Sequence, residues 1–146
     1  MNDKLKNLKG IFHLQIICSK TGRIIENYVD NNLVLNGGRT AVMRLLGAGD
    51  TGKQLTQIAV GTNGTTPVGT DSAITGAFTK ALGTATYPSA NSVSFPFQIG
   101  AGEANGIAIQ EFGILCTDNT VFARKVRAVI NKNSDIILNG NWVIQF

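Results

Sequence analysis

The stretch Ile136-Ile-Leu-Asn-Gly-Asn-Trp-Val-Ile-Gln-Phe146 decides the fold class of this chain. Large apolar side chains recur at every second position, and amide side chains lie between them. A period of two is typical of a β-strand with one buried and one exposed face. The apolar face carries Ile136, Leu138, Trp142, Ile144 and Phe146, and the polar face carries Asn139, Asn141 and Gln145. We therefore expect the chain to end on a core strand.

The same alternation occurs further upstream. Residues 10–29 have the pattern of a β-hairpin, which the polar run 30–32 is expected to end. Residues 91–99 also alternate, but Pro96 has no N–H to donate, which predicts an edge strand or a bulge there. Residues 107–116 form a nearly continuous apolar run, typical of a strand buried on both faces or of one with a bulge near Gln110-Glu111.

One segment has helical rather than strand periodicity. Residues 37–46 place Ala41, Val42, Leu45 and Leu46 on one apolar stripe. Asn36 is a suitable N-cap, and Gly47 stands where a helix-ending glycine is common. We predict one short α-helix that packs on a sheet.

Together these patterns predict a mainly β protein. Roughly seven to nine short strands are separated by turns rather than helices, which favours antiparallel sheets. Two such sheets packed face to face, a β-sandwich with the one short α-helix, would bury the apolar faces. We expect residues 1–9 to form a basic N-terminal arm and residues 10–146 to form a single domain. The glycine-rich segment 61–72 has no periodicity and is expected to be a long surface loop inside that domain.

Composition narrows the classes of function. Apolar residues make up 43% of the 146 residues and charged residues only 15%, against about 25% in an average soluble domain. Low charge leaves weakly hydrated surface, which favours permanent partners over a free monomer. The net charge of +4 includes Lys4, Lys6 and Lys9 in the N-terminal arm, which we interpret as a docking arm. The alternative interpretation of this charge is nucleic-acid binding. No known nucleic-acid-binding motif is present, and we expect the protein not to bind nucleic acid.

The sequence pattern predicts neither a secretory leader nor a membrane segment. The first residues lack the apolar core of a signal peptide, and no run reaches the roughly 20 apolar residues of a membrane span. We therefore expect synthesis in the cytoplasm of a host cell. Cys18 and Cys116 lie in apolar runs and are expected to be buried thiols, although the sequence leaves a disulfide open.

A nucleotide site is suggested only by Gly47-Ala-Gly-Asp-Thr-Gly-Lys-Gln54. Its glycine and lysine spacing matches a phosphate-binding P-loop, but that loop needs Ser or Thr where Gln54 stands. It would also have to follow a strand and open a helix, whereas here it follows the predicted helix. We interpret it as a helix-to-strand loop.

Catalytic and metal sites have equally little support. His13 is the only histidine, and no Gly-x-Ser-x-Gly elbow accompanies it. Five carboxylates are spread over separate loops and strands: Asp50, Asp71, Glu103, Glu111 and Asp118. Those in loops could converge on a cation, but their spacing is not that of an EF-hand. Glu111 interrupts an apolar strand, so it is either a buried general acid or a structural carboxylate paired with Arg124 or Arg127. We favour the structural pair of Glu111 and Arg124 and expect no enzyme activity, cofactor or metal.

Four segments of the chain, in order, resemble a group of small phage and prophage proteins associated with tails, baseplates and tail fibres. They are Asp30–Leu46 (DNNLVLNGGRTAVMRLL), Ile58–Pro67 (IAVGTNGTTP, followed by Asp71 and Ile74), Ile109–Leu115 (IQEFGIL, then Val121-Phe-Ala-Arg124) and the C-terminal pattern Leu138-x-x-x-Trp142-x-Ile144-x-Phe146. The resemblance covers most of residues 30–146. It implies a virion setting, on the tail side rather than the head, and carries no active site across.

We therefore expect a virion assembly protein that packs into a homo-oligomer and docks on other virion proteins. A head-decoration or head-fibre protein is one alternative. A module that recognises a host-surface glycan or protein is another, and it would bind through the loops 61–72 and 101–106. The expected contact residues of these loops are Thr62, Asn63, Thr65, Thr66, Asp71, Glu103 and Asn105.

Overall fold

The computed structural model describes residues 8–146. The strands are β1 (Lys9–Cys18), β2 (Ile24–Val34), β3 (Leu55–Gly61), β4 (Phe78–Ala81), β5 (Thr86–Ser89), β6 (Ser92–Ile99), β7 (Ala108–Cys116), β8 (Val121–Asn131) and β9 (Ile136–Gln145). Within this part of the chain there is one α-helix, α1 (Asn36–Ala48), and a 3₁₀ turn at Thr51–Lys53. None of the helices described is both long and apolar enough for a membrane span. The mainly β prediction is confirmed.

The strands pair into one antiparallel sheet of nine in the order β4-β3-β7-β8-β2-β1-β9-β6-β5. The predicted sandwich of two separate sheets is not confirmed, because this sheet is continuous and curls into a half-barrel. The sheet has two halves, β4-β3-β7-β8 and β2-β1-β9-β6-β5. The link between them is narrow, because β2 pairs with β8 only through Leu33↔Arg124 and Val34↔Ala123. The two edge strands, β4 and β5, are consecutive in the chain, so the short segment 82–85 holds the open sides of the half-barrel near each other.

The core lies on the concave side of the sheet and joins both halves. Phe12 on β1 is fully buried, and its ring lies 4.8 Å from that of Phe112 on β7 and 5.0 Å from that of Trp142 on β9. Both neighbouring rings are also fully buried. Aromatic side chains therefore bridge the two halves where backbone pairing between them is sparse.

The predicted hairpin is confirmed by β1 and β2, but the polar run 30–32 does not end it. Strand β2 continues through these residues because their side chains find partners. Asn32 accepts a hydrogen bond from the indole N–H of Trp142 at 3.0 Å. Asp30 pairs with Lys125 at 2.6 Å, which lowers the pKa of its carboxyl through a hydrogen bond.

The helix is confirmed, with different ends. Asn36 is its first residue rather than its cap, and Leu35 holds the cap position without a side-chain hydrogen bond. At the other end Gly49, not Gly47, adopts the left-handed conformation, with φ of 59°. A glycine takes this conformation without steric cost, so the helix ends at the second of two available glycines.

Two glycines of α1 give opposite predictions for the same substitution. A Cβ on Gly38 would lie 2.3 Å from the carbonyl oxygen of Phe122, a backbone atom of β8, whereas a Cβ on Gly47 would meet nothing within 4 Å. We expect Gly38→Ala to lower the free energy of unfolding by about 1–3 kcal/mol through overpacking. Gly47→Ala should raise it by about 0.5–1 kcal/mol. Urea unfolding of both variants checks the pair; equal effects would contradict this packing of α1 on β8.

Candidate functional site

A buried ion pair lies at the base of the longest loop. Arg124 on β8 donates from Nε to Oε2 of Glu111 on β7, at 2.6 Å. Glu111 is fully buried and Arg124 is 1% exposed. Glu111 immediately follows the bulge in β7, where the register with β8 shifts between Ile109 and Glu111. That bulge was predicted near residues 110–111 and changes which side chains face the core.

The polar atoms of Glu111 and Arg124 that are not used in the Nε–Oε2 contact form hydrogen bonds with the loop backbone. Oε1 of Glu111 accepts from the N–H of Thr75 at 2.7 Å and of Asn63 at 3.2 Å. The guanidinium of Arg124 donates to the carbonyls of Asn63 at 2.8 Å and Thr65 at 3.0 Å. The loop between β3 and β4 is therefore fixed near both of its ends by one carboxylate and one guanidinium.

Asp71 completes the network. Its Oδ2 accepts from the guanidinium of Arg124 at 3.1 Å and from the N–H of Val68 at 3.0 Å. Arg124 thus meets two carboxylates and two carbonyls, which suits a planar group with several donors. A buried charge is tolerated only when it is paired and hydrogen-bonded in this way. The arrangement fixes a loop, and both acids accept hydrogen bonds from backbone N–H groups of that loop.

A second loop, 100–106, is held by lysines. Lys132 is 2% exposed and donates to the side-chain oxygen of Asn105 at 2.9 Å. Burial lowers the pKa of Lys132. Lys80 on β4 pairs with Glu103 at 2.6 Å, and this hydrogen bond lowers the pKa of the Glu103 carboxyl. The role of Lys132 could not be predicted from the sequence, because a single lysine beside an asparagine resembles any exposed turn.

The two loops leave the same end of the β3–β7 pair, since β3 ends where the antiparallel β7 begins. The expected contact residues divide into two groups there. Thr62, Thr65, Thr66 and Asn105 are exposed, whereas Asn63, Asp71 and Glu103 are partly buried. The second group anchors the loops, so only the first group has side chains exposed to a partner.

The docking arm falls largely outside the described part of the chain. Lys4 and Lys6 precede residue 8. Lys9 is exposed at the start of β1. The docking role of these lysines remains a prediction.

An apolar groove of about 550 Å³ lies on the open side of the half-barrel, between α1 with β3 and the strands β5, β6 and β9. Tyr87 and Phe146 line it and are 78% and 60% exposed. Phe146 was predicted on the core face with Ile144; it lines the same groove as Ile144 but is not buried in the core. Leu46, predicted on the buried helix stripe, is 76% exposed. The other apolar residues lining the groove include Leu8, Val42, Leu45, Leu55, Phe95 and Ile144.

The P-loop-like segment has a different role in the structure. Lys53 pairs with Asp118 at 2.7 Å and donates to the hydroxyl of Thr120 at 2.9 Å. The hydrogen bond to Lys53 lowers the pKa of Asp118 to about 2. The lysine that would contact a phosphate instead ties this segment to the β7–β8 turn. Among residues 8–146, no three His, Cys, Asp or Glu side chains are grouped to hold a metal ion.

The two cysteines are free thiols in different surroundings. Cys116 is fully buried, and desolvation raises the pKa of its thiol to about 11. Cys18 is only partly buried, contrary to prediction, and hydrogen bonds from Thr21 lower its pKa.

We therefore expect one fast-reacting thiol per chain at pH 8, because the thiolate is the reactive form. Titration with a disulfide reagent should label Cys18 in the folded protein and Cys116 only in denaturant. The Cys18→Ser variant is the control and should show no fast thiol. Two fast thiols in the native protein would contradict the burial of Cys116.

Comparison with known proteins finds no matching family model, no matching curated protein and no matching solved structure. What the chain does is therefore inferred from its own residues.

Proposed function

We propose that the chain is a structural component of a phage virion, on the tail side, that associates with copies of itself and docks on other virion proteins. The observation that carries the proposal is the apolar groove and its exposed rim. Tyr87 and Phe146 line this concave apolar site and present large apolar surface at its rim. Apolar patches of this kind mark protein contacts.

The resemblance to phage tail proteins supplies the setting. Residues from its second and third segments, among them Asn63, Asp71, Glu111 and Arg124, meet in the buried network. Their joint occurrence has a physical reason, because each is needed to fix the same loop. A rigid module with a prepared contact surface suits permanent assembly, in which little ordering entropy is lost on binding.

The test is to find the chain on particles. Phage or prophage particles produced by the source strain are purified and labelled with gold-tagged antibody against this chain. We expect label at the tail end. Label on the head would favour the head-decoration alternative, and purified particles without the chain would overturn the proposal.

A matched pair of variants tests the groove itself. Tyr87→Ser combined with Phe146→Ser removes apolar surface of the groove at two exposed positions, so the fold should be kept. We expect less of this variant in particles than of the native chain. Thr79→Ser combined with Ser72→Thr alters two exposed residues outside the groove and should be incorporated normally.

Receptor binding is the second candidate, and one observation favours it. Thr62, Thr65 and Thr66 are exposed on a loop that the buried network fixes in place. Fixed loops on a rigid scaffold are common recognition surfaces. Glycan-array binding that is lost when residues 62–66 are replaced by Gly-Ser repeats would promote this function over the first.

A further inference from the structure

The convex face of one half of the sheet is unusual in composition. This face, here called the outer sheet face, consists of the outward side chains of β2, β1, β9 and β6. Cross-strand pairing aligns Asn27, Gln15, Asn139 and Gln98 in one row, and Val29, His13, Asn141 and Pro96 in the next. The flanking rows contain Asn31, Ile11, Val143 and Ser94 on one side, and Ile24, Ile17 and Ile137 on the other.

None of these positions carries Lys, Arg, Asp or Glu. The charged residues of β2 are directed elsewhere: Glu26 pairs with Arg127 and Asp30 with Lys125, both on β8. Lys9 lies at one end of the face, and Lys20 lies in the turn at the other. The charges of this half of the molecule are therefore at the rim of the face or on its opposite side.

The face is open except at Ser94, which is buried. Val29 is 62% exposed, and Asn27, Gln98, Asn139 and Asn141 are exposed as well. Within residues 8–146, none of these four amide side chains makes a hydrogen bond. Each therefore has donors and acceptors free for water or for a partner.

We propose that the outer sheet face binds the same face of a second copy of this chain. Two copies of a chain with net charge +4 repel each other, and a surface without charged side chains adds no like-charge contact when it meets itself. Amides suit such self-pairing because each is both donor and acceptor, so an identical row can satisfy it. A two-fold interface pairs one patch with itself, as this arrangement requires.

The outer sheet face is large enough to form an interface between two copies of the chain. Four strands spaced about 4.8 Å apart and seven residues rising about 3.4 Å each span roughly 20 Å by 24 Å. The two copies together bury about 1,000 Å² or more, since side chains corrugate each surface. That area reaches the lower limit of a specific interface. The proposal rests on the self-association within the proposed function and assigns it to one surface.

The test places like charges at the centre of the face. Gln15→Lys with Asn139→Lys changes two directly paired residues. Ser72→Lys with Ala73→Lys is the control, because it adds the same charge at exposed positions of the loop between β3 and β4, away from the face. Sedimentation velocity from about 1 to 100 μM measures association, and circular dichroism checks folding. We expect the native chain and the control to dimerise, and the face variant to dimerise at least a hundredfold more weakly.

A second variant controls for the possibility that the first one misfolds. Val29→Lys alters a residue that is already mostly exposed, and it should weaken the dimer in the same direction. A native chain that stays monomeric at 100 μM would overturn the proposal. So would a dimer that survives both face variants, or one lost instead on Tyr87→Ser with Phe146→Ser in the groove. A monomer that is nevertheless found on particles would reject this surface and the self-association, and would leave only the virion location of the proposed function standing.

Discussion

Replacing Arg124 by leucine should lower the free energy of unfolding by about 3–5 kcal/mol, the range for removing one partner of a buried ion pair. The variant leaves the fully buried Glu111 carboxylate without its cation at 2.6 Å. It also leaves the carbonyls of Asn63 and Thr65 without their donor. Unfolding in urea, followed by the fluorescence of the single tryptophan, Trp142, measures the loss.

The same substitution at an exposed pair is the control. Arg44 pairs with Asp50 at 3.7 Å, and its side chain is 61% exposed. Arg44→Leu should therefore change stability by only about 0–1 kcal/mol. Limited proteolysis adds a local measurement, because the loop 62–77 of Arg124→Leu should be cut faster than that of Arg44→Leu. Equal losses of stability in the two variants would contradict a buried network that fixes the loop.

The strands could be predicted where a single pattern sufficed. Alternation located β1 and β9, and the change of phase beside Glu111 indicated the bulge in β7. These features depend on neighbours in sequence and on which face is buried. The ion pair of Glu111 with Arg124 was suggested for the same reason, since a hairpin brings the two residues onto adjacent strands.

What could not be predicted depends on distant contacts. One continuous sheet differs from a sandwich here by two residue pairs, Leu33↔Arg124 and Val34↔Ala123. No local pattern encodes that register. Similarly, Asn32 and Trp142 are far apart in sequence, so nothing near residue 32 indicated that β2 would continue.

The groove shows the same limit for apolar residues. A helical stripe predicts which side chains share a face, but not whether another element covers that face. Phe146 follows its pattern and is still exposed, because it lies at the open groove, and Leu46 is exposed on α1 outside the groove lining. An apolar pattern that the fold does not bury is itself the evidence for a contact surface.

Phe12→Ala should cause a loss of similar size, about 3–5 kcal/mol, for a different reason. Phe12 is fully buried and touches four aromatic rings, at centroid distances of 4.8–6.3 Å. Three of these rings, Tyr28, Phe97 and Trp142, belong to its own half of the sheet, and Phe112 belongs to the other. Truncation therefore opens a cavity at the position that joins the halves.

Because the backbone link between the halves is only two residue pairs wide, the cavity should also weaken their cooperation. In Phe12→Ala, hydrogen exchange should protect the amides of β3 and β7 differently from those of β1 and β9, whereas the native chain should open as a unit. Phe146→Ala removes the same side chain at an exposed position and should stay within about 0.5 kcal/mol of the native protein. If Phe12→Ala costs no more than Phe146→Ala, the aromatic cluster does not hold the halves together.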